Sequence, residues 1–387
     1  MNGITIVDAF GGGVVMRRRA LGLSIIAVSC LLTTAVSAPD AVAAPAVTGS
    51  ALPPELVDAV ARDLALTPQQ FLDRADAARR LAEFAAAFGS ESVTGTWLDA
   101  DGQPVISVAD GPSYTAVSDA ASANGFTTAA TGIEIPESVR STVDPLLELL
   151  PFDLADTAGP IRASSYLGGD SFLAGTPAGL GLRCSLGFNA VDAVRGPVNI
   201  TAGHCDPATT GSAASTGAYP MYGSLIGSKF GSFYRTNQTH NDYALIEIDD
   251  ANVGGFEGNA VRVPGSAPLH VTGTVDPVVG APVCKSGSRT GFSCGTILST
   301  GQQIAMGAAV MERSFSTSIC ALRGDSGGPI VSGTLAVGIA SASNVGDQPS
   351  CEIATVFSML QGQRPELFAT PINEVLAENP GLVIRTS

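Results

Sequence analysis

Three short stretches of the chain carry the residue types that perform acyl transfer when they meet in space. Nucleophilic acyl transfer needs a hydroxyl activated by a base, a carboxylate that orients the base, and backbone N–H groups aimed at the developing oxyanion. Ser326, His204 and Asp242 are the candidates for the hydroxyl, the base and the carboxylate. They stand in the motifs Thr201-Ala202-Gly203-His204-Cys205, Asn241-Asp242-Tyr243-Ala244-Leu245-Ile246 and Gly324-Asp325-Ser326-Gly327-Gly328-Pro329.

Each motif places its candidate where this chemistry needs it. Ser326 lies among glycines, so its hydroxyl is accessible and a tight turn can point the N–H groups of Gly324 and Ser326 at one spot. His204 ends a strand-like run beside Cys205, and Asp242 begins an apolar strand where a half-buried carboxylate can hold the imidazole tautomer. Taken singly, each of these residues is usually structural. Together they predict an enzyme.

The motifs lie in a part of the chain whose pattern indicates β-structure. Beyond residue 166, short apolar runs are broken by Gly, Ser, Thr and Asn about every 8–12 residues, a spacing typical of antiparallel sandwiches and barrels. We predict strands over residues 198–201, 243–248, 335–339 and 354–357, and a final helix over 371–377. The composition agrees, because only 14% of the residues are charged and 45 of 387 are glycine.

A region of different character precedes these strands. Residues 53–88 have a helical pattern, and Thr67-Pro68-Gln69-Gln70 has the form of a capping box that starts a second helix. Residues 96–108 have the pattern of a β-hairpin. This small α+β unit carries no catalytic motif. Residues 130–165, rich in Pro, Ser, Thr and acidic groups around 146–150, are interpreted as a connecting segment.

The charge balance and hydropathy restrict the partners. Twenty Lys and Arg against 35 Asp and Glu give a net charge of −15, which argues against a nucleic-acid-binding surface. Outside the N-terminus no stretch reaches the length of about 18 apolar residues that a spanning helix needs. We therefore expect neither nucleic acid as a partner nor stable insertion in a membrane.

The N-terminal residues predict export. Arg17-Arg18-Arg19 is followed by a short apolar run and then by small residues, the order found in secretory signal peptides. We expect residues 1–46 to be a signal peptide, with Met16 as an alternative start, and the protein to be secreted to the extracellular space. The apolar run is too short for a membrane anchor. Lipid attachment at Cys30 stays open as an alternative, although the residues before it form a poor processing site.

Six cysteines remain once Cys30 is set aside. An even number in an exported chain predicts disulfides, and the sequence alone permits several pairings. A zinc site is the competing interpretation, but the chain has no C-x-x-C pair and no Cys/His cluster. We predict no metal and no cofactor. The six are Cys184, Cys205, Cys284, Cys294, Cys320 and Cys351.

The chain resembles the chymotrypsin-like serine proteases, and more closely their secreted actinobacterial branch of streptogrisin and α-lytic protease. The resemblance covers essentially all of residues 166–380, and residues 55–110 resemble the pro-region of that branch. Besides the three motifs above, it rests on Cys184-Ser185-Leu186-Gly187-Phe188, Cys284-Lys285-Ser286-Gly287, Cys294-Gly295-Thr296, Arg62-Asp63-Leu64, Leu66-Thr67-Pro68-Gln69-Gln70 and Trp97-Leu98-Asp99.

This resemblance implies a fold and a mode of maturation. The fold is an all-β double antiparallel barrel of the trypsin-like type with a C-terminal helix, preceded by a small α+β pro-region. The protease domain would span residues 166–387, with maturation near Tyr166. Residues 47–165 would be a pro-region with its connecting segment, acting as intramolecular chaperone and inhibitor. The product would be a monomer that acts on protein or peptide substrates.

The resemblance also implies roles for single residues. His204, Asp242 and Ser326 would be the catalytic triad of a serine endopeptidase, and the N–H groups of Gly324 and Ser326 its oxyanion hole. The implied disulfides are Cys184–Cys205, Cys284–Cys294 and Cys320–Cys351. Relatives in this branch pair the Asp before the nucleophile with an internal Arg. Lys285 stands at that position, so we predict a Lys285–Asp325 ion pair, looser because Lys lacks the planar fork.

The same comparison indicates which substrates fit. Cys320 stands where trypsin-like members carry an acidic residue, and Ala340 stands where glutamate-selective members carry a histidine. We therefore predict a preference for small to medium apolar side chains before the scissile bond (P1). The residues predicted to bind the substrate are Arg323, Ser341, Ala342 and Ser343.

Two alternative functions stay open. A catalytically silent member of the same fold could serve as a binding protein, although this chain retains every triad residue and the oxyanion glycine. A lipid-anchored protease would differ only in location. The two other histidines have no predicted role, since His240 is expected on a surface loop and His270 in a linker between the barrels.

Overall fold

The computed structural model describes residues 52–129, 142–146, 148–151, 165–175, 180–208, 216–306 and 309–386. The predicted signal peptide over residues 1–46, with Met16 and Cys30, lies outside them. So does most of the predicted connecting segment. No helix in the described ranges is both long enough and apolar enough to cross a bilayer.

Helices are few and lie mainly at the two ends of the described chain. The α-helices are α1 (Pro54–Leu64), α2 (Pro68–Phe88), α3 (Tyr114–Ala123), α4 (Cys351–Leu360) and α5 (Ile372–Ala377), and 3₁₀ helices cover Gly203–Cys205 and Asp250–Phe256. The predicted capping box is present at the start of α2. The Thr67 hydroxyl accepts the N–H of Gln70 at 3.2 Å, and the Gln70 side chain accepts the N–H of Thr67 at 2.9 Å.

Strands make up most of the remaining structure. They are β1 (Val93–Leu98), β2 (Pro104–Val108), β3 (Thr127–Ala129), β4 (Thr142–Pro145), β5 (Glu148–Pro151), β6 (Ser171–Gly175), β7 (Leu180–Ser185), β8 (Phe188–Asp192), β9 (Gly196–Thr201), β10 (Gly217–Tyr222), β11 (Leu225–Ile226), β12 (Gly231–Asn237), β13 (Tyr243–Ile248), β14 (Ala260–Val261), β15 (Leu269–His270), β16 (Gly273–Thr274), β17 (Pro282–Gly287), β18 (Gly291–Met306), β19 (Ala309–Thr317), β20 (Pro329–Ser332), β21 (Leu335–Ser343), β22 (Leu367–Pro371) and β23 (Leu382–Ile384).

Two large sheets contain most of the strands that follow β3. The first sheet runs in the order β23-β8-β9-β13-β12-β10-β6-β7-β5, and the second in the order β16-β21-β20-β17-β18-β19-β22. The second sheet closes on itself because β22 pairs with both β19 and β21. With α5 at its C-terminal end, this architecture confirms the all-β fold expected from the sequence.

One predicted strand is wrong. Residues 354–357 belong to helix α4, although their β-branched and aromatic side chains favour a strand. The reason is local capping and a tertiary anchor. The Ser350 hydroxyl accepts the N–H of Ile353, the Thr355 hydroxyl donates to the carbonyl of Cys351, and Cys351 is fixed by a disulfide to Cys320. Together these contacts override the weak intrinsic preference.

The N-terminal region, residues 52–129, packs against the second sheet. Its strands form a three-stranded sheet in the order β1-β2-β3, and the N–H of Leu98 in β1 donates to the carbonyl of Val279 at 2.9 Å. Side chains of α2 share one hydrophobic cluster with β18 and β19, and those of α1 share another with β17 and β18. A polar contact adds to the apolar ones, because Asp63 accepts the backbone N–H of Cys294 at 2.8 Å.

Part of the predicted connecting segment forms strands. β4 pairs with β18 and β21 of the second sheet, and β5 pairs with β7 of the first sheet. Residues 142–145 therefore join the second sheet, and residues 148–151 join the first. No local sequence pattern indicates this pairing, because the partners lie far away along the chain.

Candidate active site

The three candidate residues lie at the ends of neighbouring elements. His204 lies in the 3₁₀ turn directly after β9, and Asp242 lies directly before β13. Since β9 and β13 are antiparallel neighbours, the end of one strand meets the start of the other, and the two side chains come together. Ser326 comes from the turn before β20, in the second sheet. The site therefore forms between the two sheets.

The three side chains form one hydrogen-bonded chain. His204 Nδ1 lies 2.7 Å from Asp242 Oδ2, and His204 Nε2 lies 2.7 Å from Ser326 Oγ. The other carboxylate oxygen, Oδ1, accepts the backbone N–H of His204 at 2.8 Å. The exposed fraction is 6% for His204 and zero for the other two. With Nδ1 donating to the carboxylate, Nε2 is free to accept the hydroxyl proton.

Thr370 holds the backbone of Asp242, a contact that sequence reasoning missed. Its hydroxyl accepts the N–H of Asp242 at 3.3 Å and donates to the carbonyl of the same residue at 3.2 Å. Thr370 lies in β22 and is 1% exposed. Nothing in the local sequence around it distinguishes it from other strand threonines. Its position follows only from the closure of the second sheet.

The turn that carries Ser326 is built around the carboxylate of Asp325, which is fully buried. Its Oδ1 accepts the N–H groups of Arg289 at 3.0 Å and Thr290 at 2.9 Å. Its Oδ2 accepts the Thr290 hydroxyl at 2.7 Å and the N–H of Leu322 at 3.0 Å. Gly324 in this turn has a φ of 101°, a conformation that favours glycine. Buried charge is tolerated here because the carboxylate is so fully hydrogen-bonded.

Lys285 supplies the counter-charge for this carboxylate. Its Nζ lies 3.3 Å from Asp325 Oδ2 and donates to the Thr290 hydroxyl at 2.6 Å. Both members of the pair are fully buried. Lys285 therefore occupies the position for which the ion pair was predicted.

Ser185 fixes the same turn from the first sheet. Its N–H donates to the carbonyl of Ser326 at 2.8 Å, and its hydroxyl donates to the carbonyl of Gly324 at 2.8 Å. The preceding residue, Cys184, forms a disulfide with Cys205, the neighbour of His204. Ser185 had no role in the sequence analysis, although it lies inside a motif that carried the resemblance. Ser185 therefore connects the turn that carries Ser326 with the disulfide beside His204.

The three disulfides in the structure are the pairs that the resemblance implied. They are Cys184–Cys205, Cys284–Cys294 and Cys320–Cys351. The first fixes the turn of His204. The second crosses the β17–β18 pair beside Lys285, and the third ties α4 to the segment before the Ser326 turn. All three therefore lie next to elements that position the site.

The predicted substrate-binding residues divide into two groups. Ser341, Ala342 and Ser343 lie buried at the end of β21, beside the Ser326 turn. The Arg323 side chain is instead about half exposed and forms an ion pair with Asp347. The backbone N–H of Arg323 donates to the carbonyl of Gly346 at 3.1 Å.

The two remaining histidines lie away from this constellation. His240 is exposed and its Nδ1 lies 3.0 Å from Glu312 Oε1, and His270 is exposed in β15. Within the part of the chain that the structure describes, no three His, Cys, Asp or Glu side chains group closely enough to hold a metal ion.

Comparison with known proteins gives a consistent pattern. The sequence profile of the trypsin family matches residues 198–361. Streptogrisin-C of Streptomyces griseus is 29% identical over 381 residues, covering 85% of this chain and 79% of that protein. Serine protease 2 of Streptomyces fradiae is 31% identical over 165 residues (42% and 88%), and glutamyl endopeptidase 2 of S. griseus is 30% identical over 180 residues (46% and 85%).

Proposed function

This chain belongs to the trypsin family of serine endopeptidases, of the streptogrisin type, and we propose that it is a secreted protease that works through a His204–Asp242–Ser326 triad and is made as a zymogen. One observation carries the proposal. The carboxylate, imidazole and hydroxyl are joined by two contacts of 2.7 Å in a buried site between the two sheets.

The geometry supports an acyl-enzyme mechanism. His204 Nε2 takes the Ser326 proton as Oγ attacks the substrate carbonyl, and Asp242 stabilises the imidazolium that forms. The N–H groups of Gly324 and Ser326 receive the developing oxyanion. His204 then gives the proton to the leaving amine, which breaks the peptide bond. Water, deprotonated by the same imidazole, releases the acyl group and restores Ser326.

Contacts between the N-terminal region and the second sheet support a zymogen. We propose that residues 1–46 are a signal peptide, that 47–165 are a pro-region, and that 166–387 are the protease domain. The alignment with streptogrisin-C extends well beyond residues 166–387, since it covers 85% of the chain. Two-sheet folds rich in distant pairings fold slowly. A pro-region whose helices join the cluster of the second sheet can hold that sheet's strands together while the rest of the chain folds.

We also propose that the mature protease is an extracellular monomer that prefers small to medium apolar P1 residues. The buried pocket wall formed by residues 341–343 carries two serines and an alanine and no charged side chain. An arginine or glutamate in such a pocket would be desolvated without a counter-charge, which is costly. Protein and peptide substrates with apolar residues avoid this cost.

A fluorophosphonate probe tests the catalytic proposal directly. We expect covalent modification of Ser326, lost in His204→Ala and Ser326→Ala. Ser332→Ala is the matched control, because Ser332 is also buried and hydrogen-bonded but lies away from the triad. A folded protein that neither reacts with the probe nor cleaves any peptide would instead be a catalytically silent binding protein, and the proposal would be wrong.

A further inference from the structure

Residues 142–146 occupy the cleft in the way that a peptide substrate does. β4 runs antiparallel to the end of β21, with Pro145 opposite Ala342 and residue 144 opposite Ser343. The N–H of Leu146 points to the carbonyl of Ser341 at 3.5 Å. Adding an extended strand to an open sheet edge is a general mode of peptide recognition, in which the main chain supplies the hydrogen bonds. The chain thus adds its own strand beside its own nucleophile.

The carbonyl group of Leu146 lies at the reactive groups. Its oxygen is 2.8 Å from Ser326 Oγ and accepts the N–H of Gly324 at 3.2 Å. A carbonyl bond is about 1.2 Å long, so the carbonyl carbon lies within about 4 Å of Oγ. The Oγ is at the same time 2.7 Å from His204 Nε2. The nucleophile, the base and one oxyanion donor therefore converge on one peptide carbonyl.

The Leu146 side chain fills a pocket beside this carbonyl. It is fully buried and belongs to a cluster that also includes Ile319, Ala321 and Ala340. Gly346 forms part of the wall, because a Cβ at that residue would lie 2.8 Å from Leu146 Cδ2. The other atom near this Cβ, the carbonyl oxygen of Ser343, is at an ordinary 3.9 Å. The glycine therefore leaves the room that a leucine needs.

Two residues beyond Leu146 the backbone pairs with the first sheet. Glu148, two residues beyond Leu146, lies opposite Arg183 in the antiparallel β5–β7 pair. The side chains face each other as well, with Arg183 Nη1 3.8 Å from Glu148 Oε2. Arg183 directly precedes Cys184, whose disulfide fixes the His204 turn. Backbone pairing of Pro145 on one side and Glu148 on the other thus holds the Leu146 carbonyl at the triad.

We propose that this peptide bond, between Leu146 and Leu147, is the first bond that the protease cuts, within its own chain, and that leucine is a preferred P1 residue. This rests on the proposed function. Ser326 Oγ forms a bond to the Leu146 carbonyl carbon, the bond to the Leu147 nitrogen breaks, and His204 carries the Oγ proton to that nitrogen. Water then hydrolyses the ester, which leaves a carboxylate on Leu146, a free amine on Leu147 and an intact Ser326.

The bond before Tyr166, where maturation was expected, has different surroundings. The Tyr166 N–H donates to the carbonyl of Gly255 at 2.7 Å, and its ring stacks on Phe256 at 4.5 Å. The Gly168 N–H donates to the carbonyl of Ala260. This segment is thus held by the 3₁₀ helix over Asp250–Phe256 and by β14, and not by the edge of β21. A cut near Tyr166 would be a second event that follows the cut after Leu146.

Self-processing of the full-length chain is the primary test. N-terminal sequencing and intact mass at early times should show a new N-terminus at Leu147, absent in Ser326→Ala. Leu146→Ala should slow this cut at least about tenfold, because it removes a large apolar group from its pocket. Leu149→Ala is the matched control, since Leu149 is 66% exposed, and should cut at the original rate. A first new N-terminus near Tyr166, or equal rates for Leu146→Ala and wild type, would overturn the proposal.

A second measurement replaces the chain's own segment by a free peptide, and its first part needs only the wild-type enzyme. The mature enzyme is given a synthetic decapeptide with the sequence of residues 142–151, and mass spectrometry identifies the cut bond. We expect one cut, after the first leucine. Gly346→Ala should lower the kcat/KM for a leucyl relative to an alanyl p-nitroanilide by about tenfold or more. Activity on p-nitroanilides without cleavage after that leucine would overturn this inference alone, whereas inactivity on every peptide would overturn the proposed function.

Discussion

We predict that removing the carboxylate from the buried Lys285–Asp325 pair lowers the stability of the fold more than removing the lysine does. The changes are Lys285→Met and Asp325→Asn, each in full-length chain that also carries Ser326→Ala to prevent self-cleavage. Lys285→Met removes one 3.3 Å contact but leaves four hydrogen-bond donors on the carboxylate. Asp325→Asn keeps the shape but turns an NH₂ group toward donors, and it leaves the Lys285 charge buried without a counter-charge.

The expected costs follow from these contacts. Breaking a buried ion pair costs about 3–5 kcal/mol when the remaining charge is uncompensated. Lys285→Met should lie below that range, at about 2 kcal/mol, because the carboxylate stays solvated by backbone and hydroxyl donors. Asp325→Asn should reach or exceed it. At about 2–4 °C per kcal/mol for a domain of this size, the Tm should fall several degrees further for Asp325→Asn.

Thermal unfolding followed by circular dichroism measures both changes. Arg313→Met is the matched control, because Arg313 also pairs with a carboxylate, Glu374 at 3.0 Å, but its side chain is 69% exposed. An exposed pair contributes at most about 1 kcal/mol. The reasoning is refuted if Lys285→Met costs as much as Asp325→Asn, or no more than Arg313→Met.

Three further predictions concern other contacts. Thr370→Val should lower kcat/KM about tenfold through loss of both hydrogen bonds to Asp242, whereas Thr272→Val, at an exposed threonine pair, should not change it. Asp63→Ala should lower the stability of the Ser326→Ala chain by roughly 1–2 kcal/mol, measured by its Tm, because the buried N–H of Cys294 loses its acceptor. Hydrogen bonds from the N–H groups of Val194 and Arg195 and from the Tyr234 hydroxyl lower the pKa of Asp192. The ionised Asp192 carboxylate therefore stabilises the fold at pH values above the usual pKa of an aspartate. The Tm difference between wild type and Asp192→Asn should shrink as the pH falls through the lowered pKa.

Features encoded by neighbouring residues were predictable from the sequence. The capping box at Thr67 and Gln70 is complete within four residues, and the structure contains it. The Gly-rich motif around Ser326 carries both a nucleophile and the glycines of its turn. Residue type and the neighbouring strand-like runs were then enough to select His204 and Asp242 as its partners.

Features that depend on distant pairing were not predictable. Residues 146–150 look like any apolar stretch in a linker, and only the edges of β21 and β7 make the surrounding residues into strands. Thr370 holds Asp242 because β22 closes the second sheet. In helix α4 the sequence misled, since strand propensity at residues 354–357 was outweighed by a cap and a disulfide.

Residues 52–129 share two hydrophobic clusters with the second sheet. Cleavage of the backbone therefore does not by itself dissociate the N-terminal fragment from the rest of the protein. The liberated fragment becomes a ligand, and its occupancy obeys mass action. Concentrated protein should then remain inactive after complete cleavage, whereas dilution, or digestion of the fragment, should release proteolytic activity. Secretion into a large volume would itself act as the trigger.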